Sequence, residues 1–278
     1  MHDATIIDGS RHVSLDEVDP ASDGGLTEDE ASRRLERLTD ELRELQELMF
    51  AAEANGVLVI LQGMDAAGKD VTIQQVFRSA TAEAIRVKHF KPMTELEEKH
   101  DIFWRAHAEV PMRGELVIFD RSYYEQLVMP QVEGEASERD TARLAEDVLA
   151  FERILINAGT LIVKCFLHLD KDEQGRRLVE RMENLEEAWK ISARDWTARE
   201  SWDRYMTAYE VTMNATGEPD APWYVIPADR PWFHNLLIAE TLVARLRGHR
   251  DHWLEARDRR AQKKQAEARE AAPDEAAS

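Results

Sequence analysis

A glycine-rich segment at residues 63–70 carries the clearest chemical signal in the sequence, because it fits the pattern G-x-x-x-x-G-K. In order, its residues are Gly63, Met64, Asp65, Ala66, Ala67, Gly68, Lys69 and Asp70. Glycines let a loop fold around linked phosphates with its N–H groups pointing inward, and a following helix presents its positive N-terminus. Lys69 adds a mobile positive charge for the terminal phosphates. The segment therefore predicts a phosphate-binding loop.

Carboxylates in and after this loop predict a site for a magnesium ion. Asp70 stands directly after the lysine, where many phosphate-binding loops have a Ser or Thr that helps to hold the metal. Thr72 is the nearest hydroxyl, but it comes two residues later. Because Mg²⁺ favours carboxylate oxygens and keeps several waters, we expect Asp65 in the loop to be one ligand.

Asp120 is the expected second ligand. It ends the apolar run at residues 116–119, and doubly wound sheets bind their ligands at the carboxyl ends of the strands. Four apolar residues followed by an aspartate form the second signature of phosphate-loop enzymes, in which the acid holds magnesium or its water. Arg121 follows at once and supplies a cation beside the expected metal.

Arginines open the helix that is predicted after the third strand. Arg177 and Arg181 lie four residues apart, so they share one helix face and could grip one phosphate chain. The alternative is an ordinary solvated face on which nearby glutamates pair with these arginines. The phosphate loop upstream favours a mobile lid over about residues 171–193. Lys190 follows a tryptophan and could cover a bound base or a chain of linked phosphates, a polyphosphate.

The elements that must position these residues follow from hydrophobic periodicity. Apolar runs typical of buried strands lie at 57–61, 116–119 and 161–169, with weaker candidates at 84–90 and 223–226. Helical patterns lie near 67–79, 94–109, 137–158, 171–187, 194–214 and 231–247. This alternation predicts an α/β fold with three α/β/α layers and a mostly parallel sheet of about five strands.

The two ends of the chain differ from its centre in charge and in hydrophobic periodicity. Residues 1–25 are acidic and aperiodic, which predicts a disordered arm. Thr27 and Glu30 have the spacing of a capping box, and the leucine stripe that follows favours a helix docked on its own domain over a subunit contact. We therefore predict one folded domain at 26–247 and a charged helical or disordered tail at 248–278.

Composition excludes several classes of protein. The formal net charge is −19, which disfavours general nucleic-acid binding. The single cysteine excludes a disulfide framework, and the sequence has neither an apolar run of membrane-spanning length nor a signal pattern. We therefore expect a cytoplasmic protein that binds no membrane. His89, His100 and His107 show no pairing that suggests a metal site.

Taken together, the motifs resemble those of the polyphosphate kinase 2 family, in order and spacing, from about residue 26 to 247. The Lys91-Pro92 pair and the Phe103-Trp104-Arg105 segment also fit. The motifs are G-M-D-A-A-G-K-D at 63–70, F-D-R-S-Y-Y-E at 119–125, E-Q-x-x-R-x-x-x-R at 173–181, W-K at 189–190 and A-P-W-Y-V-I-P-A-D at 221–229.

The resemblance implies a P-loop kinase core with a helical lid, and phosphoryl transfer between inorganic polyphosphate and a nucleotide. By similarity, Asp65 and Asp120 would hold Mg²⁺, with Mn²⁺ as an alternative. Lys69 and Arg121 would neutralise the transferred group. The similar branch of the family phosphorylates nucleoside mono- and diphosphates, so AMP and ADP, and also GMP and GDP, are the expected acceptors. Family members assemble as dimers or tetramers, which implies a homo-oligomer.

The remaining implied binding residues surround these four. By similarity, Arg177 and Arg181 would track the polyphosphate. The others expected to bind phosphate or nucleotide are Gly63, Met64, Ala66, Ala67, Gly68, Asp70, Thr72, Lys91 and Lys190.

Three departures from the family pattern leave other functions open. Val71 stands where the family usually has Gly, and Asn184-Leu185 where it commonly has Asp-Pro. Glu187 replaces a frequent Lys, so an attraction to polyanion becomes a repulsion. One alternative, which does not depend on these departures, is an ATP-dependent nucleotide kinase of the thymidylate kinase type, because that type shares the loop, the Asp-Arg after a strand and an arginine-rich lid. Another is a nucleotide- or polyphosphate-binding protein with weakened turnover.

Overall fold

A six-stranded sheet forms the centre of the computed structural model, which describes residues 4–186, 189 and 192–271, without the side chains of residues 193 and 194. The strands are β1 Thr5–Ile7, β2 Gly56–Gln62, β3 Ile85–His89, β4 Leu116–Asp120, β5 Thr160–His168 and β6 Trp223–Pro227. Their order in the sheet is β1-β6-β5-β2-β4-β3. Strands β2 to β6 pair in parallel, and β1 joins antiparallel to β6. The predicted α/β fold is confirmed, with six strands instead of about five.

Helices cover both faces of this sheet. They are α1 Glu28–Ala52, α2 Lys69–Val76, α3 Trp104–His107, α4 Glu125–Glu133, α5 Glu138–Asn157, α6 Lys171–Glu183, α7 Ala193–Glu200, α8 Trp202–Thr216, α9 Pro231–Arg247 and α10 Arg250–Ala271. The buried residues of α1 and α9 form one core with alternate side chains of the central strands. Those of α4, α5 and α8 form a second core on the other face. Strands buried on both faces explain the continuous apolar runs of the sequence.

Helix α1 begins as its sequence predicts. The Thr27 hydroxyl accepts from the backbone N–H of Glu30, and the Glu30 carboxylate accepts from the backbone N–H of Thr27 in return. Leu35, Leu42 and Leu45 are buried against the sheet and α9. The leucine stripe therefore docks on its own domain.

The prediction of a disordered arm over residues 1–25 is wrong for residues 4–25. Strand β1 pairs with β6, and Val13 and Leu15 are buried in the core beside α8. The Glu210 carboxylate accepts from the backbone N–H of Leu15 at 2.7 Å. The side-chain oxygen of Asn214 accepts from the N–H of Val13 at 2.9 Å. A few apolar residues without periodicity are enough to order this arm because α8 satisfies its backbone groups.

Three helix predictions differ from the structure. The stretch near 94–109 contains only the single turn Glu97–Lys99 and α3, since Asp101 accepts from the backbone N–H of Phe103 at 2.9 Å and forms a turn. The helix predicted at 171–187 ends at Glu183, because Asn184 adopts an extended backbone with ψ of 105°. The helix predicted at 194–214 divides into α7 and α8 at Ser201.

The C-terminal segment is helical as far as residue 271. Trp253 is fully buried near the start of α10, and its indole N–H donates to the side chain of Asn55 at 2.8 Å. Arg260 donates to the backbone carbonyl of Ala51 at 3.1 Å, so the helix lies along α1. No helix in the described part of the chain is both long and apolar enough to cross a membrane.

Candidate active site

The phosphate loop connects β2 to α2 at the carboxyl edge of the sheet. Gly63 has φ of +147°, and a Cβ there would lie 2.9 Å from the carbonyl oxygen of Leu167. Gly68 caps α2 with φ of +105°, and a Cβ there would lie 2.7 Å from Cε1 of the buried His234 ring. Both positions require glycine, because the left-handed backbone and the close neighbours leave no room for a side chain.

Lys69 is the first residue of α2 and is buried beneath the loop that it follows. Its ammonium donates to the carbonyl oxygens of Gly63 at 2.9 Å and Met64 at 3.1 Å. These two bonds keep the charge at the loop, where phosphate oxygens would compete with the carbonyls for it. The Thr72 hydroxyl is buried in the next turn and has no hydrogen-bond partner among the described residues.

Asp65 forms an ion pair with Arg121, which follows β4 directly. Burial by itself lowers the pKa of the Arg121 guanidinium, but the carboxylates of Glu125 and Asp65 outweigh it and raise that pKa above its ordinary value. Arg121 has φ of +59°, a conformation that costs a non-glycine residue free energy and recurs at functional sites. The loop and the end of β4 are therefore joined by opposite charges.

Asp120 meets His89 and Asp70 at the edge of the sheet. Strands β3 and β4 pair in a register that sets His89 opposite Asp120, and Nδ1 of His89 lies 2.8 Å from Oδ2 of Asp120. Each of the three residues brings one ligand atom to within 4.8 Å of the other two. The expectation that His89 has no pairing suggestive of a metal site is therefore wrong, because it took no account of the strand register.

The donors around Asp120 fit a divalent cation. Oδ1 of Asp120 is buried and lacks a hydrogen-bond partner in the described ranges. A buried carboxylate oxygen without a partner carries a cost in free energy that a cation relieves. Two carboxylates and an imidazole are ligands that first-row divalent metals accept.

Arg177 contacts the protein backbone in this structure. Its guanidinium donates to the carbonyl oxygens of Ala66 at 3.1 Å, Ala228 at 2.8 Å and Asp229 at 2.8 Å. Its Nε donates to Glu173 at 2.7 Å. Three of these four hydrogen bonds thus join α6 to the phosphate loop and to the segment between β6 and α9. A role in gripping phosphate stays a prediction.

Arg181 lies one turn further along α6, near Asp195 of α7. Burial and the charge of Asp65 raise the pKa of the Asp195 carboxyl, while Arg181 and Arg121 act in the opposite direction. Gln174 of the same helix donates to the carbonyl oxygen of Asp65 at 3.2 Å. The start of α6 therefore contacts the phosphate loop, and its last turn lies near α7.

The other predicted binding residues divide into three groups. Met64, Ala66 and Ala67 are buried loop residues. Lys91 is exposed after β3, and its carbonyl oxygen accepts from Arg105 at 2.8 Å. Lys190 lies outside the described residues, as does Glu187, which departs from the family pattern.

A buried polar network beneath Arg121 was missed by the sequence analysis. The hydroxyls of Tyr123 and Tyr124 donate to the Glu152 carboxylate at 2.8 and 2.7 Å. Lys164 donates to the same carboxylate at 2.7 Å and to the carbonyl oxygen of Thr216 at 2.8 Å. Burial, followed by the charge of Glu152, raises the pKa of both tyrosines. A lysine inside an apolar strand was the available signal.

Comparison with known proteins identifies relatives of this chain. The family model described as Polyphosphate kinase 2 matches residues 25–252. An AMP/ADP-polyphosphate phosphotransferase of Meiothermus ruber is 44% identical over 211 residues, which cover 76% of this chain and 79% of that protein. An ADP-polyphosphate phosphotransferase of Rhodopseudomonas palustris is 36% identical over 222 residues, which cover 76% of this chain and 75% of that protein.

The solved structures include a close match in fold. The crystal structure of Polyphosphate Kinase 2 from Arthrobacter aurescens TC1 superposes with a TM-score of 0.83 at 35% identity, over 87% of this chain and 88% of that one. The range matched by the family model, residues 25–252, includes the phosphate loop and the end of β4. The chain belongs to the polyphosphate kinase 2 family.

Proposed function

We propose that this protein transfers a phosphoryl group between inorganic polyphosphate and nucleoside mono- or diphosphates. AMP and ADP are the first acceptors to test, because the relative from Meiothermus ruber is an AMP/ADP-polyphosphate phosphotransferase. GMP and GDP are further acceptors. The observation that carries the proposal is the ion pair of Asp65 with Arg121, which sets a guanidinium beside the phosphate loop and its lysine.

The reaction exchanges one phosphorus–oxygen bond for another. An oxygen of the nucleotide's terminal phosphate attacks the terminal phosphorus of the polyphosphate chain. The bridging bond to that phosphorus breaks, and its electron pair stays on the shortened polyphosphate. Such a transfer needs positioning and charge neutralisation more than covalent work by the protein.

The side chains of the site match those needs. Lys69 would exchange the carbonyl oxygens of Gly63 and Met64 for phosphate oxygens, and Arg121 would neutralise the group in transfer. Asp120 and Asp65 would hold Mg²⁺, or Mn²⁺ in its place. When bound, the ion supplies positive charge to the phosphate oxygens. Asp65 would give up its ion pair with Arg121 for that role.

The lid and the assembly state belong to the same proposal. Helix α6 and the residues after it to about 193 would close over the polyphosphate, with Arg181 and Lys190 as phosphate contacts. By resemblance to the family, the chain would form a dimer or tetramer, which light scattering measures directly. The domain would span residues 26–247, with β1 and α10 packed against it.

A panel of donors and acceptors tests the function. We expect long-chain polyphosphate with AMP, ADP, GMP or GDP to yield the next higher nucleotide, separated by chromatography. AMP or dTMP with ATP should yield no product. Product from the ATP pairs alone would refute the proposal. Lys69→Met should abolish transfer, while Lys263→Met, on the exposed face of α10, should leave it unchanged.

A further inference from the structure

Three side chains from three separate elements converge at one edge of the sheet. Asp70 lies in the first turn of α2, His89 ends β3 and Asp120 ends β4. One ligand atom of each lies within 4.8 Å of the other two. Strand register and helix position bring the three residues to one place, where Asp70 and His89 are exposed and Asp120 is partly buried.

The two carboxylates of the cluster are incompletely paired, although the positive charge of Arg121 acts on Asp120. Oδ2 of Asp120 meets His89 at 2.8 Å, but its buried Oδ1 has no hydrogen-bond partner among the residues described. Asp70 adds a second negative charge within ligand distance. Carboxylates this close repel each other unless a proton or a cation lies between them. The buried Oδ1 points to the cation, because a buried acceptor without a partner is costly.

Asp65 is engaged elsewhere in this structure, through its ion pair with Arg121. The two acids that lie within ligand distance of each other and of His89 are instead Asp70, where phosphate loops commonly have a hydroxyl, and Asp120. A carboxylate binds a divalent ion more strongly than a hydroxyl does, because it brings a full negative charge.

We propose that Asp70, His89 and Asp120 together form a mixed nitrogen–oxygen site for a divalent transition metal, with Mn²⁺ or Co²⁺ preferred to Mg²⁺. Imidazole suits first-row transition metals, whereas Mg²⁺ takes oxygen ligands almost exclusively. The inference rests on the proposed function, since the ion would lie where phosphates bind. It adds His89 and Asp70 as ligands and gives the site a metal preference.

Mn²⁺ bound to the full-length protein without nucleotide provides the test. Pulsed electron paramagnetic resonance detects the magnetic coupling of a directly coordinated ¹⁴N nucleus. The wild type should show this coupling, and His89→Asn should lose it. His252→Asn, at an exposed position of α10, is the matched control and should keep it.

A metal titration supplies a second readout. His89→Asn should raise the Kd for Mn²⁺ by about 10-fold or more, while the Kd for Mg²⁺, measured by competition, should change much less. Asp70→Asn should raise the Kd for Mn²⁺ and the Kd for Mg²⁺ alike. Absence of nitrogen coupling in the wild type would overturn the proposal, as would coupling that survives in His89→Asn.

These measurements separate the site from the reaction. Nitrogen coupling in a protein that transfers no phosphoryl group would refute the proposed function and leave the metal site standing. Phosphoryl transfer by a wild type that shows no nitrogen coupling would refute the metal site and leave the proposed function standing. Folding of each variant is checked by circular dichroism, and the wild-type spectrum decides the question without any variant.

Discussion

Arg177 donates a hydrogen bond to the backbone carbonyl of Ala66 at 3.1 Å, and so joins helix α6 to the phosphate loop. The same guanidinium donates hydrogen bonds to the backbone carbonyls of Ala228 and Asp229. An arginine expected to grip phosphate thus shapes the loop in this structure. Backbone carbonyls suit this role, because the planar guanidinium presents several donors in fixed directions.

Replacing Arg177 should destabilise the protein in the absence of any ligand. Arg177→Ala is expected to lower the free energy of unfolding by about 1–3 kcal/mol, because charged donors to three buried carbonyls are lost. Arg176→Ala, on the exposed face of the same helix, should cost less than about 1 kcal/mol. Urea unfolding measures both. A pure phosphate clamp would instead show unchanged stability and a raised KM for polyphosphate.

Arg121 should matter for turnover more than for substrate affinity. Arg121→Ala is expected to reduce kcat by about 10²–10³-fold, the typical effect of removing a group that stabilises transition-state charge. Arg113→Ala, exposed before β4, is the control. Steady-state kinetics with ADP and polyphosphate measure both variants. A rise in KM with kcat unchanged would assign Arg121 to substrate binding alone.

The backbone of Arg121 makes a separate prediction about stability. Its φ of +59° suits glycine better than alanine. Arg121→Gly should therefore unfold with a free energy about 1 kcal/mol higher than Arg121→Ala, although both lack the guanidinium. Equal stabilities in urea would show that this position carries no strain.

Breaking the buried ion pair of Lys164 and Glu152 should lower the free energy of unfolding more than breaking the neighbouring exposed pair of Arg153 and Glu218. Lys164→Met leaves the Glu152 carboxylate without its cation and the Tyr124 hydroxyl without a donor, and should cost about 3–5 kcal/mol of unfolding free energy. Arg153→Met breaks the exposed pair with Glu218 and should cost less than about 1 kcal/mol. Similar losses in the two variants would contradict this view of the network.

His234 should make stability depend on pH. Burial, helped by the charge of Arg177, lowers the pKa of its ring to about 3. Below pH 6.5 the unfolded chain takes up a proton that the folded chain refuses, so stability falls as the pH falls. Through this group, lowering the pH from 7.5 to 4.5 should reduce the free energy of unfolding by about 2–3 kcal/mol.

A variant isolates this contribution from the other acids and bases. His234→Leu should lose less stability than the wild type over that pH range, while His252→Leu should lose as much as the wild type. Chemical unfolding at both pH values gives the differences. Parallel behaviour of wild type and His234→Leu would rule out the buried histidine as the cause.

Local patterns explain which parts of the fold and site were predictable. The phosphate loop, Asp120 at the end of a strand and the capping box of α1 each depend on residues within one short segment. Helix α4 was missed because Pro130 lies inside it, where a proline usually ends a helix. The ordering of residues 4–25 was missed because α8, far along the chain, supplies the partners.

The rest of the site depends on how distant segments meet. His89 joins Asp120 only through the register of β3 and β4, which no spacing in the sequence states. The acceptors of Arg177 are backbone carbonyls, which have no residue type to recognise. Lys164 was the exception, since a charge in a fully buried strand was visible and should have predicted a buried partner.

The most direct test of the proposed reaction follows a single phosphoryl group. ADP is incubated with polyphosphate labelled with ³²P and a divalent ion, and the nucleotide products are separated. We predict that label enters the γ-phosphate of ATP with the wild type and that Lys69→Met and Arg121→Ala abolish or strongly slow its entry. Nucleotide that stays unlabelled while the wild type still makes ATP would contradict direct transfer from polyphosphate.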